Sequence, residues 1–487
     1  MSVGRFTSYN ILGSVVPLVL TFVTVPLYIH LVGIERVGIL SLAWLLLGYF
    51  GLFDLGLGKA TAFRIAAQRD APPQDRAATL WGALIVNVGM GVIGGLILWA
   101  AAHIYFTHYF KVAETLRPEI LDAVPLLALS VPVATLTGVL TGALQGREKF
   151  LETNIISALT TILFQLLPLG VALIWGPTLS WILTAALLSR AVALIALWRI
   201  CAREFTAGHK ATTERGTILA LLRYGGWVSF NGLIGPMLVI VDRFAIGNVL
   251  GAVPLGLYHV PFQIAKQLAI IPGSLTNALF PKLTMASADE ARLLNRKALL
   301  TLAATITLPV MIGIFAMEPF LNLWVGREIG VQSAPVGRVL LVGFWCNAMA
   351  LVPFTQLQAA GRPRTVTIIL LLQIPLYLGA LYVAMIGYGI VGCAVALAAR
   401  FGVDFIMQSL AVDRRIQAAP ALGGSLILLI AAVILSGQLP LNDPLWWAGA
   451  LSLIIVAGLA AYWLLPEEVR TQMIGMAQRF LPTRHAS

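Results

Sequence analysis

The chain has 487 residues, 59% of them hydrophobic and 11% charged, with a mean hydropathy of +0.90 and a formal net charge of +11. A soluble domain carries about 25% charged residues, so this composition excludes a soluble enzyme or binding module and describes a polytopic membrane protein. Cys201, Cys346 and Cys393 are odd in number and scattered, which excludes a disulfide framework and a metal-binding spacing.

The apolar runs are long and unbroken rather than alternating, so the spanning elements are helices of ~20 residues and the fold is all-α. The pattern predicts about fourteen of them, over 9–32, 38–64, 79–105, 120–144, 153–176, 178–200, 219–249, 254–281, 297–325, 336–359, 365–386, 389–411, 420–438 and 445–465. Turn-forming residues separate them at Gly33, Gly176-Pro177, Gly361-Arg362-Pro363 and Pro440 to Pro444. The first run is too long for a signal core and lacks a small-residue cleavage site, so it is expected to stay as a helix.

With the N-terminus inside, most Lys and Arg fall on inner segments, among them Arg69, Arg76, Arg147, Lys149, Arg203, Arg362 and Arg364. Outer segments hold Arg36, Lys111, Arg117, Arg327 and Arg338. This asymmetry predicts that both termini are cytoplasmic. It also accounts for the positive net charge with no nucleic-acid partner, leaving contact with anionic membrane lipids as its second use.

The chain repeats itself. The stretch Leu31–Ile39 (LVGIERVGI) matches Val249–Leu257 (VLGAVPLGL) with both glycines in register at a shift of 218 residues, which also carries Arg64 onto Lys282. Gly146-Arg147 matches Gly361-Arg362 at 215, and Arg190 matches Arg400 at 210. Six helices per copy is an even number, so two parallel six-helix lobes are expected, which commonly flank a substrate site near the bilayer midplane. The expected domains are 1–205 and 206–415 for the lobes, 416–465 for two peripheral helices and 466–487 for a cytoplasmic tail, with 201–218 as the inter-lobe linker.

Ionisable residues at membrane depth are costly, roughly 3 kcal/mol each on insertion scales, and mark candidate sites. Here they are Lys59, Arg190, Arg243, Lys266 and Arg400 with Asp54, Asp242 and Asp404. Arg400 and Asp404 are four apart and suited to a structural pair on one helix face. Lys59 lies near the inner end of its segment, where it can snorkel, and Asp54 sits one turn deeper. Arg190 has no acid on its own segment and reaches toward the inner face. Asp242 points about 100° away from Arg243 on a helix and is a poor partner for it. The segment with Lys266 has no acid at all, and His259, Gln263, Lys266 and Asn277 form one helical stripe. On the preceding segment Asn231 and Asp242 are eleven apart. A cavity-lining role for Arg243 and Lys266 is therefore the sharper expectation, against structural pairing between helices. No nucleophile–base constellation, metal spacing or phosphate-cradling loop is present, so neither an enzyme nor a cofactor is expected.

The stretches Val241–Tyr258 (VDRFAIGNVLGAVPLGLY) and Phe280–Thr284 (FPKLT) resemble the polysaccharide-transporter flippases of the multidrug/oligosaccharidyl-lipid/polysaccharide (MOP) exporter superfamily. Pro26-Leu-Tyr28, Gly33, Gly38, Tyr49–Gly58 (YFGLFDLGLG) and Gly142–Arg147 (GALQGR) fit the same family. The resemblance implies a bacterial inner-membrane flippase carrying an undecaprenyl-diphosphate-linked oligosaccharide from the inner to the outer leaflet. It also implies two lobes around a cationic cavity, with Arg243 matching the family's Asp-Arg pattern and Lys266 carried only by its stripe. The substrate-binding set then comprises Arg243, Lys266, His259, Gln263, Asn231, Asp54, Lys59, Arg190 and Arg400, and a glycan polymerase and glycosyltransferases are the implied partners. Three alternatives stay open: a cation-coupled multidrug exporter, a peptidoglycan-precursor flippase, and a non-transporting scaffold of a glycan-assembly complex. The surplus of buried cations and the acid-free first segment weigh against the multidrug exporter.

Overall fold

A computed structural model describes residues 3–49, 56–206, 238, 240–413 and 416–465. Among them the chain is helical, with no strand. The helices are α1 (Val3–Tyr49), α2 (Leu57–Ala67), α3 (Pro73–Ile104), α4 (Arg117–Gly146), α5 (Phe150–Trp175), α6 (Leu179–Cys201), α7 (240–249), α8 (Ala252–Ala265), α9 (Ile270–Met285), α10 (Ala288–Val325), α11 (Arg327–Ala359), α12 (Pro363–Val412), α13 (Ala419–Gln438) and α14 (Pro444–Leu464). Ten candidate spans among the described residues are long and apolar enough to cross a bilayer, so the chain is a multi-span membrane protein. Two of the long helices are really two in series. Gly33 breaks α1 at φ 81° and Gly389 breaks α12 at φ 58°, conformations that glycine adopts without a Cβ penalty.

With those breaks, helix falls on each of the fourteen expected segments, within the described residues. The largest shifts are at α10 and α11, which begin at Ala288 and Arg327 rather than at 297 and 336. Ser287 caps the first by accepting from the Glu290 amide, while the Glu290 carboxylate accepts from the Ser287 amide at 2.8 Å. Gly326, at φ 92°, allows the second to start at once. Arg338, counted among the outer cations, is consequently well inside a helix and not at its start. It lies inside α11, 3% exposed, with its guanidinium 2.6 Å from Glu318 Oε2 on α10. The segment expected over 254–281 is also divided, because Lys266–Ala269 tightens into a 3-10 turn between α8 and α9.

The backbone breaks recur with the spacing of the sequence repeat. Positive φ occurs at Gly33 and Gly251, at Glu148 and Gly361, and at Gly176 and Gly389, separated by 218, 213 and 213 residues. The glycines of the matched motif also touch. A Cβ on Gly38 would land on the Ala252 carbonyl oxygen, and one on Gly256 would land on that of Ile34; the 218-residue shift carries Ile34 onto Ala252 and Gly38 onto Gly256, so the two contacts exchange equivalent positions. Only glycine permits this approach of backbones, which replaces the hydrophobic drive that is missing in lipid.

By contacts, the chain forms two compact units that divide at Gly256 and Leu257. In the first, α2, α3, α4 and α6 share a core of Leu57, Ile65, Leu80, Leu140, Leu144 and Leu197. A Cβ on Gly142 would meet the Gly58 carbonyl oxygen, so α2 packs directly on α4. At one end Arg147 and Lys149 reach Glu204 at 3.4 and 2.6 Å, tying the α4–α5 turn to the end of α6. At the other end Arg36 binds Glu119 through two nitrogens at 3.2 and 3.0 Å, and Glu119 also accepts from the Leu179 amide that opens α6. Lys111 Nζ donates to the Val249 carbonyl at 2.8 Å. Charges that read as topology signals thus also fasten helix ends. In the second unit α10, α11 and α12 pack together, with Trp345 Nε1 donating to Thr307 Oγ1 at 3.0 Å. There α13 and α14 lie against α10, and Phe315 meets Trp446 edge-on at 5.5 Å.

Candidate functional site

A cavity of about 540 Å³ opens in the first unit between α2, α4, α5 and α6. That is within the usual size range of small-molecule sites. Two of the intramembrane cations, Lys59 and Arg190, line it together. The close approach of α2 to α4 at Gly58 and Gly142 is what brings Lys59 to this wall. Arg190 comes from α6, with its guanidinium 5.1 Å from the centre of the Phe164 ring on α5, which holds it by a cation–π contact. The rest of the lining includes Thr137, Thr141 and Gln145 from α4 and Thr160, Thr161 and Gln165 from α5. None of the described lining residues is acidic. Among the described residues, then, two cations face this partly polar space with no acid in its lining, an arrangement suited to an anion.

Gln165 braces this wall. Its Nε2 donates to Thr21 Oγ1 at 3.1 Å and its Oε1 accepts from Thr24 Oγ1 at 3.2 Å, so α5 is fixed to α1.

The other expected site residues are dispersed. Arg243 lies on α7 in the first unit, 4% exposed, and its backbone amide donates to the carboxylate of Asp242 at 2.8 Å. Lys266 belongs to the second unit and is exposed at the 3-10 turn. His259 and Gln263 do meet, as the stripe suggested, with Nε2 of each 3.0 Å apart. A smaller cavity of about 400 Å³ is lined by Tyr105, Ile240, Val241, Phe244, Ala245 and Asn248, so neither cavity has Arg243 or Lys266 in its lining. Asn231 and Asp54 lie outside the described residues.

Arg400, the counterpart of Arg190 in the sequence repeat, has different surroundings. It is 8% exposed, with its guanidinium 5.5 Å from the Tyr377 ring centre and 5.4 Å from that of Phe401. The expected Arg400–Asp404 pair is replaced, because Asp404 Oδ1 accepts from Gln373 Nε2 at 2.8 Å instead. The break at Gly389 returns the chain so that Gln373 and Asp404, on opposite halves of α12, face each other. The cation–aromatic element therefore exists in both copies, facing a cavity at Arg190 and enclosed by aromatic rings at Arg400. Arg400→Ala is expected to lower the thermal unfolding midpoint in detergent, by the equivalent of about 1–2 kcal/mol, through loss of the two ring contacts. A variant that kept its midpoint but lost transport would place Arg400 in the substrate path instead.

Thr137, Thr141 and Gln145 were missed by the sequence reading. Their signal was present, since they are four residues apart on one face of α4.

The pattern of the family described as "Polysaccharide biosynthesis protein" matches residues 3–287. A putative O-antigen transporter from Shigella flexneri is 26% identical over 408 residues, covering 84% of this chain and 97% of that protein. Among solved structures, the lipid II flippase MurJ in an inward closed conformation superposes with a TM-score of 0.70 at 10% identity, over 96% of this chain and 100% of its own. An inward-facing MATE family transporter of the MOP superfamily gives 0.66 at 17% identity, over 84% and 98%. These likenesses show a MurJ- and MATE-like fold.

Proposed function

Because the chain belongs to the polysaccharide biosynthesis protein family, we propose that it is a flippase rather than an enzyme, moving an undecaprenyl-diphosphate-linked oligosaccharide from the inner to the outer leaflet of a bacterial inner membrane. The observation that carries this reading is the cavity that Lys59 and Arg190 line together, with no acid among its described lining residues. A diphosphate suits such a pair, since the guanidinium fork binds two oxygens and the ammonium acts as a point charge. The same charge disfavours a cationic drug as cargo. The relative named as an O-antigen transporter supports a glycan-bearing lipid as the substrate.

The lipid tail need not leave the bilayer, so only the anionic head requires a polar path. With the cytoplasm negative, each negative charge moved outward gains about 2.3 kcal/mol per 100 mV, so the membrane potential favours export without a coupled ion. Both termini are placed in the cytoplasm on the Lys/Arg asymmetry, which puts Lys111 and Pro440 outside and open to impermeant reagents. A glycan polymerase and glycosyltransferases are the partners this role requires.

Complementation of a strain lacking its O-antigen flippase tests the proposal. Restored surface glycan supports it. A well-expressed, membrane-inserted chain that restores none, with the glycan matched to its own gene neighbourhood, rejects it in favour of a scaffold.

A further inference from the structure

Three threonines that line the cavity have already committed their hydroxyl protons. Thr137 Oγ1 donates to the Val133 carbonyl at 2.7 Å, Thr160 Oγ1 to Ile156 at 2.6 Å and Thr161 Oγ1 to Ser157 at 2.9 Å. A hydroxyl has one proton and two lone pairs, so each of these side chains can offer the cavity only an acceptor. An acceptor is repelled by a phosphate oxygen and bonded by a sugar hydroxyl. The charged donors, Lys59 and Arg190, come from α2 and α6, whereas the threonines come from α4 and α5. The one cavity thus offers charged donors that suit an anion and acceptors that suit the hydroxyl groups of a neutral ring. Gln145, also on α4 in the lining, adds an amide able to donate and accept.

We propose that the α4–α5 wall, through Thr137, Thr160 and Thr161, binds the neutral sugar joined directly to the diphosphate and so sets which glycan is carried. This rests on the flippase reading and assigns the specificity of the same cavity. A carboxylate on that first sugar would face the lone pairs of Thr137, Thr160 and Thr161, so an acidic sugar at this position is disfavoured.

The test uses the full chain in nanodiscs and three probes: undecaprenyl diphosphate, the same lipid bearing one N-acetylglucosamine, and the same lipid bearing one glucuronic acid. Wild type is expected to bind the N-acetylglucosamine form at least tenfold more tightly than the bare lipid or the glucuronic acid form. Thr→Val keeps the side-chain shape and deletes the acceptor, with roughly fivefold lost per hydrogen bond. In the variant Thr137→Val/Thr160→Val/Thr161→Val the preference should fall to about one. The single variants Thr137→Val and Thr161→Val, which are milder changes to folding, should each remove part of it. Lys59→Ala and Arg190→Ala should weaken all three probes together. A wild type without the preference, or threonine variants that keep it, would overturn the sugar assignment and leave the flippase reading standing. Failure of wild type to bind any of the lipids would instead remove the flippase reading beneath it.

Discussion

Replacing Lys59 and Arg190 together by alanine is expected to abolish glycan export while the protein remains folded and inserted. On the proposed reading each donates a charge-assisted hydrogen bond to the diphosphate worth about 1.5–3 kcal/mol, so losing both should weaken head binding by roughly a hundredfold or more. Folding should tolerate the change. Neither side chain has an ion pair among the described residues, and both line open space rather than core. Arg190→Lys should recover only part of the activity, because it keeps the charge but loses the fork and the flat face that lies on Phe164. Lys59→Arg should be tolerated better, since a point charge is replaced by a larger donor with the same sign. Surface glycan measured in the complemented strain, with the variants matched for level by blotting, gives the readout. Full export by the double alanine variant would exclude the cavity from the substrate path.

The second large effect concerns stability rather than transport. Glu318→Leu is expected to destabilise the second unit strongly, because it strips the partner from Arg338 while that guanidinium stays 3% exposed. Breaking a buried pair costs about 3–5 kcal/mol when one charge is left uncompensated. The loss here should sit at the lower end, since the Glu318 side chain keeps 25% of its exposure. Removing both charges differs in kind. Arg338→Met with Glu318→Leu leaves no orphan, so the double variant should regain most of the lost stability. Thermal unfolding in detergent across the four-member cycle measures this. Equal destabilisation by the single and double variants would mean that packing, and not charge compensation, governs the α10–α11 contact.

Much of the fold was legible in the sequence because lipid imposes long apolar runs and glycine marks their ends. Gly33, Gly176 and Gly389 break or end helices close to where the hydropathy pattern stops. The pattern was short at the starts of α10 and α11 because hydropathy sees only the spanning part. Residues 288–296 are polar yet helical, held by the Ser287–Glu290 cap. That same effect hid the depth of Arg338, which counted as an outer cation at the start of its expected helix and is a buried residue well inside α11.

The site was legible in its parts and not in its assembly. Lys59 and Arg190 stood out as intramembrane cations, but they are 131 residues apart in the chain. Their convergence depends on the glycine contact between α2 and α4 and on the packing of α6 beside α5, which spacing does not encode. Arg243 drew more weight because Asp242 points away from it on a helix; it is buried on α7 and does not line the 540 Å³ cavity. Spacing also misassigned Asp404, since an i,i+4 rule cannot see Gln373 arriving from across the Gly389 break. The threonine wall was silent for another reason: a threonine bonded to its own helix is common in membrane spans and carries no charge to mark it.

Photo-crosslinking from within the cavity addresses the substrate path itself. A benzophenone amino acid replaces Gln145, which lines the cavity, and in a control replaces Ile174, a 72% exposed apolar residue on α5. Irradiated membranes containing radiolabelled lipid-linked oligosaccharide should give a strong adduct at Gln145 that disappears with Lys59→Ala/Arg190→Ala, and only a weak, charge-independent one at Ile174. Labelling at Gln145 no stronger than at Ile174, or unchanged when both cations are removed, would contradict passage of the glycan-bearing head through this cavity.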